Sequence, residues 1–429
     1  MVTTLTTIQV KPNLPTPVFE NATEFDALFF NALDQFDQGF HVVVAKMAWQ
    51  IGACAANGLA PLSLSEDLVP LLTSDQHYED NFSHSVRLES DLAPFKPQCD
   101  VIVLGDAYAP GGRAVAKFAT HLQVRAGSNP SNEHASLLID KHLHIYGPRQ
   151  FHYRRWNWAL TAAQPITQCT IRYEAAAGGS CRVNAGDAGA SRVPAEVRLN
   201  ATAQASDSAA AIAHQVAETN PVGAGFCRHW YRRATGFDQI DAPQIEYASQ
   251  AYDIGQFKAV LNGGDMPAPA GFGCIGRAWL PRRNLIGHFQ DKAHWDADEV
   301  PRLPIDFDFA YWNAAPSDQQ CRYLQGGDSI RLVNLCPPTD PACHPDQHRN
   351  QVIDIVLPQQ ALFLLAQDVD QKISVINLVI DTVILNLPLH QLELVWRARW
   401  PCDDTLQTLR LLHVSEPEQL ARLAALQAE

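Results

Sequence analysis

Positive charge is scarce in this chain. Its 32 lysines and arginines face 46 acids, a formal net charge of −14, which argues against a nucleic-acid backbone or an anionic membrane surface as the main partner. A protein or a neutral ligand fits better. Long apolar runs are missing too: the best candidate, 373–389, is broken by Asn377, Asp381 and Asn386, short of the roughly eighteen residues that a bilayer span needs. No membrane insertion is expected. The N-terminal "MVTTLTTIQVKPNLPTPVFEN" has neither the basic start nor the apolar core of a signal peptide, so a cytoplasmic protein is expected. Ten cysteines scattered over 429 residues are too dilute for a disulfide framework and predict reduced, mostly buried thiols. No G-x-S-x-G elbow, H-E-x-x-H pair, P-loop or solenoid repeat occurs, which removes common hydrolase, metalloprotease and nucleotide-binding signatures.

What is present is strand pattern. In 43–51, Val43, Ala45, Met47, Trp49 and Ile51 alternate with polar positions such as Lys46 and Gln50, as a half-buried strand requires. The same alternation recurs in 117–125 and 392–400. Further candidates are 100–104, 137–146, 166–174, 328–335, 352–357 and 373–387, bounded by Gly, Pro and Asn/Asp clusters of the kind that turn chains between strands. Helices are expected only at 23–36, 203–218 and 415–427, where Ser415 and Glu418 offer a capping box. Strands do not alternate with helices, so the expected fold is mainly β: a large antiparallel β-sandwich or two packed β-sheet subdomains with few short helices. The chain reads as one unit over 1–429, or as two intimate subdomains near 1–180 and 220–429. Between them 181–219 is an Ala/Ser-rich stretch with too few large apolar groups to offset its ordering entropy, so an exposed insertion carrying one short helix is expected.

Four stretches carry candidate chemistry. "RLPIDFDFAYWNAAPSDQQ" (302–320) would put Asp306 and Asp308 on one side of an extended strand. Two carboxylates there could hydrolyse a glycoside in a cleft lined by Trp279, Trp295 and Trp312. The structural reading has one acid capping a turn and the other pairing with an arginine such as Arg302 or Arg282, and it is preferred because no nucleophile or ligand pattern accompanies them. "NLCPPTDPACHPDQH" (334–348) offers Cys336, Cys343, His344 and His348 as zinc ligands, but the six-residue gap between the cysteines is wider than structural zinc sites use, so a proline-rich surface excursion is preferred and no metal or cofactor is expected. "DVIVLGDAYAPGG" (100–112) lacks nucleotide-loop spacing and reads as a strand and turn in which Asp106 bonds local amides. In "CRHWYRR" (227–233), Arg228, Trp230, Tyr231, Arg232 and Arg233 form a candidate contact patch for the protein's own acids or an acidic protein partner, with nucleic acid disfavoured by the overall charge. The glycines of "IRYEAAAGG" (171–179) and "NPVGAGF" (220–226) permit sharp corners or close backbone approach.

As an ordered set, the segments 90–112, 171–179, 220–226, 266–282, 286–295 and 302–335 resemble a large uncharacterised-domain family of bacterial proteins whose genes commonly sit in type VI secretion clusters, beside spike and toxin genes. The resemblance runs from "HVVVAKMAWQI" at 41–51 to "LELVWRARW" at 392–400. It implies a non-catalytic effector adaptor, or chaperone, that brings a toxin effector to the valine-glycine-repeat spike protein; strand addition on an exposed sheet edge is one way such a protein could grip a partner. It also implies that Asp106, Arg172, Tyr173, Glu174, Gly178, Gly179, Asn220, Pro221, Gly223, Gly225, Trp279, Arg282, Trp295, Pro304, Asp306 and Asp308 are structural. The sequence departs from the family at Ala175 and Ala177, where an arginine and an aromatic are usual. The alternatives are the carbohydrate-active enzyme above and a sugar- or metal-binding module without turnover.

Overall fold

Strand Gly39–Ile51 organises the molecule, and a computed structural model describing residues 16–130, 134–199, 208–288, 303–416 and 419 shows how. Its β-branched run Val42–Val43–Val44 favours the extended backbone, and it is an inner strand of a seven-stranded sheet, next to one edge. Asp26–Leu33 forms a hairpin with it on one side; on the other come Gln391–Pro401, Val379–Asn386, Cys99–Leu104 and Gln320–Cys321, while Leu62–Leu64 pairs near its end. The pairings are antiparallel except that Val379–Asn386 runs parallel to Cys99–Leu104.

A six-stranded sheet has the order Ile245–Tyr247, Leu137–Tyr146, Lys117–Arg125, Ser329–Val333, Gln351–Val356, His344–Pro345. Its inward side chains, among them Leu122, Val124, Leu143 and Ile330, join Val43, Met47, Val101 and Leu394 of the first sheet in one continuous core. Leu364 and Leu411 of a four-stranded sheet (Val18–Asn21, Leu406–Val414, Ala361–Asp368, Ile373–Asn377) enter the same core. The fold is therefore mainly β with packed sheets, as the alternation predicts. Among the described residues there are two α-helices, His229–Thr235 and Ile254–Leu261, and none is long and apolar enough to cross a membrane.

A second core is aromatic. Phe257 stacks on Phe151 at 4.0 Å and meets Trp158 edge-on at 5.0 Å, with Trp230, Tyr252 and Ile240 around them. The Ala/Ser-rich stretch belongs here and corrects the expectation of an exposed insertion with a helix. Ser180–Asn184 and Ala211–Val216 form an antiparallel pair, and Cys181, Val183, Val193 and Ala213 are buried. Small side chains suffice because the neighbouring segments supply the aromatic bulk. Only 200–207 of this stretch lies outside the described residues.

Two of the three expected helices are strands. In 23–36 the chain forms Asp26–Leu33, whose register with Gly39–Ile51 (Phe29 opposite Val43) lets tertiary pairing override local propensity. In 203–218 it forms Ala211–Val216. The third, 415–427, with Glu418 of the capping box, lies almost wholly outside the described residues. The long strand also differs from expectation in being buried on both faces, Lys46 included at 2% exposure.

Candidate functional site

The 302–320 segment is a corner, and its acids take three separate jobs. Asp306 and Asp308 do not lie on a strand. Phe307 N donates to Pro304 O in a turn, and Asp308 caps the short 3-10 helix Phe309–Trp312 by accepting from Ala310 N at 2.8 Å. Asp306 accepts from His288 Nδ1 at 2.8 Å and His288 N at 2.9 Å, and these hydrogen bonds hold its carboxyl below the usual range. Both carboxylates are exposed, Asp308 capping its own turn and Asp306 reaching across to His288. The third acid, Asp318, binds the buried Lys141 ammonium at 2.8 Å, where Gln319 Oε1 also accepts at 2.7 Å. Burial, opposed by Asp318, pulls Lys141 down to about 8. Gln319 in turn donates to Val101 O and Phe272 O, and Asn313 donates to Gln98 O and Asp100 Oδ1. The segment thus ties the seven-stranded sheet to the six-stranded one.

The expected arginine partners are corrected. Arg282 is buried and bonded to both carboxylate oxygens of Glu89, to Tyr311 O at 2.7 Å and to Ile275 O at 2.6 Å, so it anchors the corner by its backbone rather than its aspartates. Burial lowers its affinity for a proton, but Glu89 more than offsets this. Arg302 and Trp295 lie outside the described residues. Trp279 is buried edge-on against Tyr173, 5.6 Å away, and Trp312 lies under the Arg277 guanidinium, so these two rings do not face a shared cleft. An open depression of about 370 Å³ near Phe40, Phe95, Arg399 and Trp400 contains one acid, Asp34.

Most of the glycine-bearing motif residues meet in one knot. Asn220 is fully buried; its Nδ2 donates to Tyr173 O at 2.7 Å and Ala177 O at 3.1 Å, while its carbonyl accepts from Gly179 N at 2.8 Å. Gly178 has φ +159° and a Cβ there would lie 2.2 Å from Asn220 O; a Cβ on Gly223 would lie 2.4 Å from Asn220 Nδ2. Gly225, at φ +92°, sits under Tyr252 and Pro243. Nearby, Tyr173 OH donates to Gly273 O, Glu174 accepts from Ser85 N and Oγ, and Arg172 pairs with Glu79 at 2.7 Å. Pro221 is half-buried in the same turn. Asp106 differs from expectation: it lies in strand Asp106–Tyr108 and accepts from Gln168 Nε2 of the paired strand instead of from local amides.

The sequence reading missed a buried ionic layer on the seven-stranded sheet. Lys46 pairs with Glu393 at 3.0 Å and Asp91 at 3.3 Å, Arg397 with Asp381 at 2.5 Å, and Lys96 with Asp100 at 2.9 Å and Thr382 Oγ1 at 2.8 Å. The signal was there: Lys46, Glu393 and Arg397 sit on the polar face of strands that turn out to be neighbours. What sequence alone lacks is the 90–98 segment covering that face.

In the 228–233 patch, Arg228 donates to the carbonyls of Val260 and Gly264 behind helix Ile254–Leu261, Trp230 is buried with Nε1 on Gln215 Oε1, and the Arg232 guanidinium covers the Tyr153 ring at 3.5 Å. Tyr231 is half-buried and Arg233 exposed. In the proline loop, a thiol–thiol contact from Cys336 holds the Cys343 thiol below its ordinary value. His344 instead faces Asp354 at 3.5 Å, and His348 is exposed. No three of these four gather their ligand atoms; among the described residues the group that does is His121, Asp140 and His142.

Among the described strands, Ile373–Asn377 pairs with Ala361–Asp368 and with no second strand over 373–376, and Ile373 and Val375 are 58% and 39% exposed.

A family model described as an uncharacterized protein conserved in bacteria (DUF2169) matches residues 37–397. Its span agrees with the stretch, 41 to 400, over which the sequence motifs run. No curated protein and no solved structure matches the chain.

Proposed function

This chain belongs to that bacterial family, and from this premise we propose that it is a cytoplasmic, non-catalytic adaptor that binds a toxin effector and helps load it onto a type VI secretion spike. The observation that carries the reading is the strand segment 373–376, which among the described strands is paired with Ala361–Asp368 alone and presents Ile373 and Val375 to solvent. Native edges normally carry charge or cover against unwanted pairing, whereas an extended segment of a partner can add a strand here and bury those two side chains. The exposed Arg233 is a second, electrostatic contact for an acidic partner. The enzyme reading draws no support from Asp306 and Asp308, the first bonded to His288 and the second capping its own turn.

Co-expression with the neighbouring spike and toxin genes, followed by affinity purification and light scattering, tests this. A discrete complex is expected, with the toxin soluble only in the presence of this chain. Val375→Lys should weaken the complex at least about tenfold by placing charge on the augmented edge, and Arg233→Glu should reduce the association rate. Absence of any complex with either neighbour would reject the adaptor reading; a complex indifferent to Val375→Lys would move the contact off this edge.

A further inference from the structure

On the outward face of the six-stranded sheet, His121 of Lys117–Arg125 stands directly opposite His142 of Leu137–Tyr146. The two imidazoles stack at 3.7 Å between centroids, tilted by 14°. Asp140, two residues before His142 and so on the same face, places Oδ1 2.6 Å from His121 Nε2 and 3.4 Å from His142 Nε2. All three donor atoms lie within 4.8 Å of one another. We propose that His121, Asp140 and His142 form a binding site for one divalent late transition-metal ion of the zinc class, separate from the cysteine–histidine loop.

The donor set fits that class. Two imidazole nitrogens and one carboxylate suit zinc, cobalt or nickel better than magnesium or calcium, which prefer all-oxygen shells. With bonds of about 2.0–2.1 Å, donors around a tetrahedral zinc ion are about 3.3 Å apart. The Asp140–His142 separation already has this value. The Asp140–His121 contact is the length of a hydrogen bond, and the ion replaces the proton shared there, which leaves to solvent as the contact opens. The stacked rings splay by side-chain rotation to bring both lone pairs onto the ion.

The scaffold is stiff where it must be. Each of the two strands is flanked by a further strand, and their inward residues Leu122, Val124 and Leu143 have no solvent exposure, so the backbone positions of the ligands are fixed. Gln123 Nε2 approaches Asp140 Oδ1 at 3.5 Å and helps aim the carboxylate. Arg331, opposite Gln123 on the next strand, is bonded through two nitrogens to Asp354, so its charge is compensated. The remaining side of the cluster faces water, which leaves positions for solvent or for a ligand from a partner protein.

The site does not depend on the adaptor reading, and the experiment separates the two. Full-length protein without a histidine tag, stripped with a chelator, is titrated with Zn²⁺ by calorimetry, and Co²⁺ serves as the spectroscopic probe. One equivalent is expected to bind, raising the melting temperature, with nitrogen/oxygen-type cobalt absorption and no thiolate charge-transfer band. His142→Ala and Asp140→Asn, both at exposed positions and verified as folded by circular dichroism, should each weaken Zn²⁺ at least about tenfold, while the double variant Cys336→Ser/Cys343→Ser should bind as the parent does. Equal affinity in parent and His142→Ala, a thiolate band with Co²⁺, or binding weaker than about 1 mM would each overturn the proposal.

Discussion

Lys141 illustrates how little of a residue's role is contained in its own neighbourhood in the chain. It occupies an inward position of Leu137–Tyr146, between Asp140 and His142 on the outward face, and its partner Asp318 is 177 residues away. Sequence pattern identified Asp306 and Asp308 as the notable acids of the corner, yet the one that meets a buried cation is Asp318, because a carboxylate's role depends on what the rest of the chain brings to it. Burial sets the folded-state value of Lys141 at about 8 against an ordinary 10.5. Between those values the unfolded chain holds more protons, so this group's contribution to stability grows as pH rises from 8 to 10.5 and is lost as pH falls through 8. The span corresponds to about 3 kcal/mol. Urea denaturation of the parent and of Lys141→Met at pH 7.5, 9 and 10.5 should show the parent gaining on the variant by up to this amount. Parallel pH profiles would mean that the ammonium titrates normally in the folded state.

At the scale of elements, alternation located the long strands well. Lys117–Arg125 falls where periodicity placed it and Leu137–Tyr146 where turn residues bounded it, and Gly39–Ile51 and Gln391–Pro401 extend the predicted segments by a few residues. It failed where an element is defined by its partner: Asp26–Leu33 and Ala211–Val216 have helix-tolerant sequences and are strands because a neighbouring strand offers them a ladder. The corner reading of the glycine motifs agrees with what the structure builds, since Gly178 and Gly223 bring two backbones together around Asn220. Gly223→Ala must move Asn220 or the Ala176 carbonyl, 2.6 Å from the new Cβ, which costs about 1–3 kcal/mol as an overpacked contact. Asn220→Ala leaves the Tyr173 and Ala177 carbonyls without this donor in a buried setting, about 1–3 kcal/mol for each one left unsatisfied. Asp306→Asn, on an exposed turn, should leave the melting temperature unchanged. Thermal melts of the three variants rank these positions, and an Asp306→Asn effect as large as that of Asn220→Ala would return the aspartate corner to prominence.

At the scale of the molecule, the two larger cores share no buried side chain: one gathers residues from Val43 to Leu411, the other residues from Phe151 to Leu261, and a smaller third cluster around Ile102 and Ile384 lies apart from both. The two larger cores are joined through backbone and polar side chains, at the Ala177–Ala224 pairing around Asn220 and where Ile245–Tyr247, held by the Arg149–Glu246 ion pair, leaves the aromatic lobe to become the edge of the six-stranded sheet. A side-chain deletion in one core should therefore be felt locally. Phe257→Ala removes the ring stacked on Phe151 and should cost the aromatic lobe about 3–5 kcal/mol. Native-state hydrogen exchange should then show amides of Ser180–Asn184 and Ile254–Leu261 losing protection while those of Gly39–Ile51 and Gln391–Pro401 keep theirs, since lobes with separate cores open separately. The proposed partner edge, Ile373–Asn377, packs on the first core through Ile376, so the toxin binding proposed for it should survive the substitution. Uniform loss of protection in both lobes would show instead that the Asn220 junction couples them into one cooperative unit.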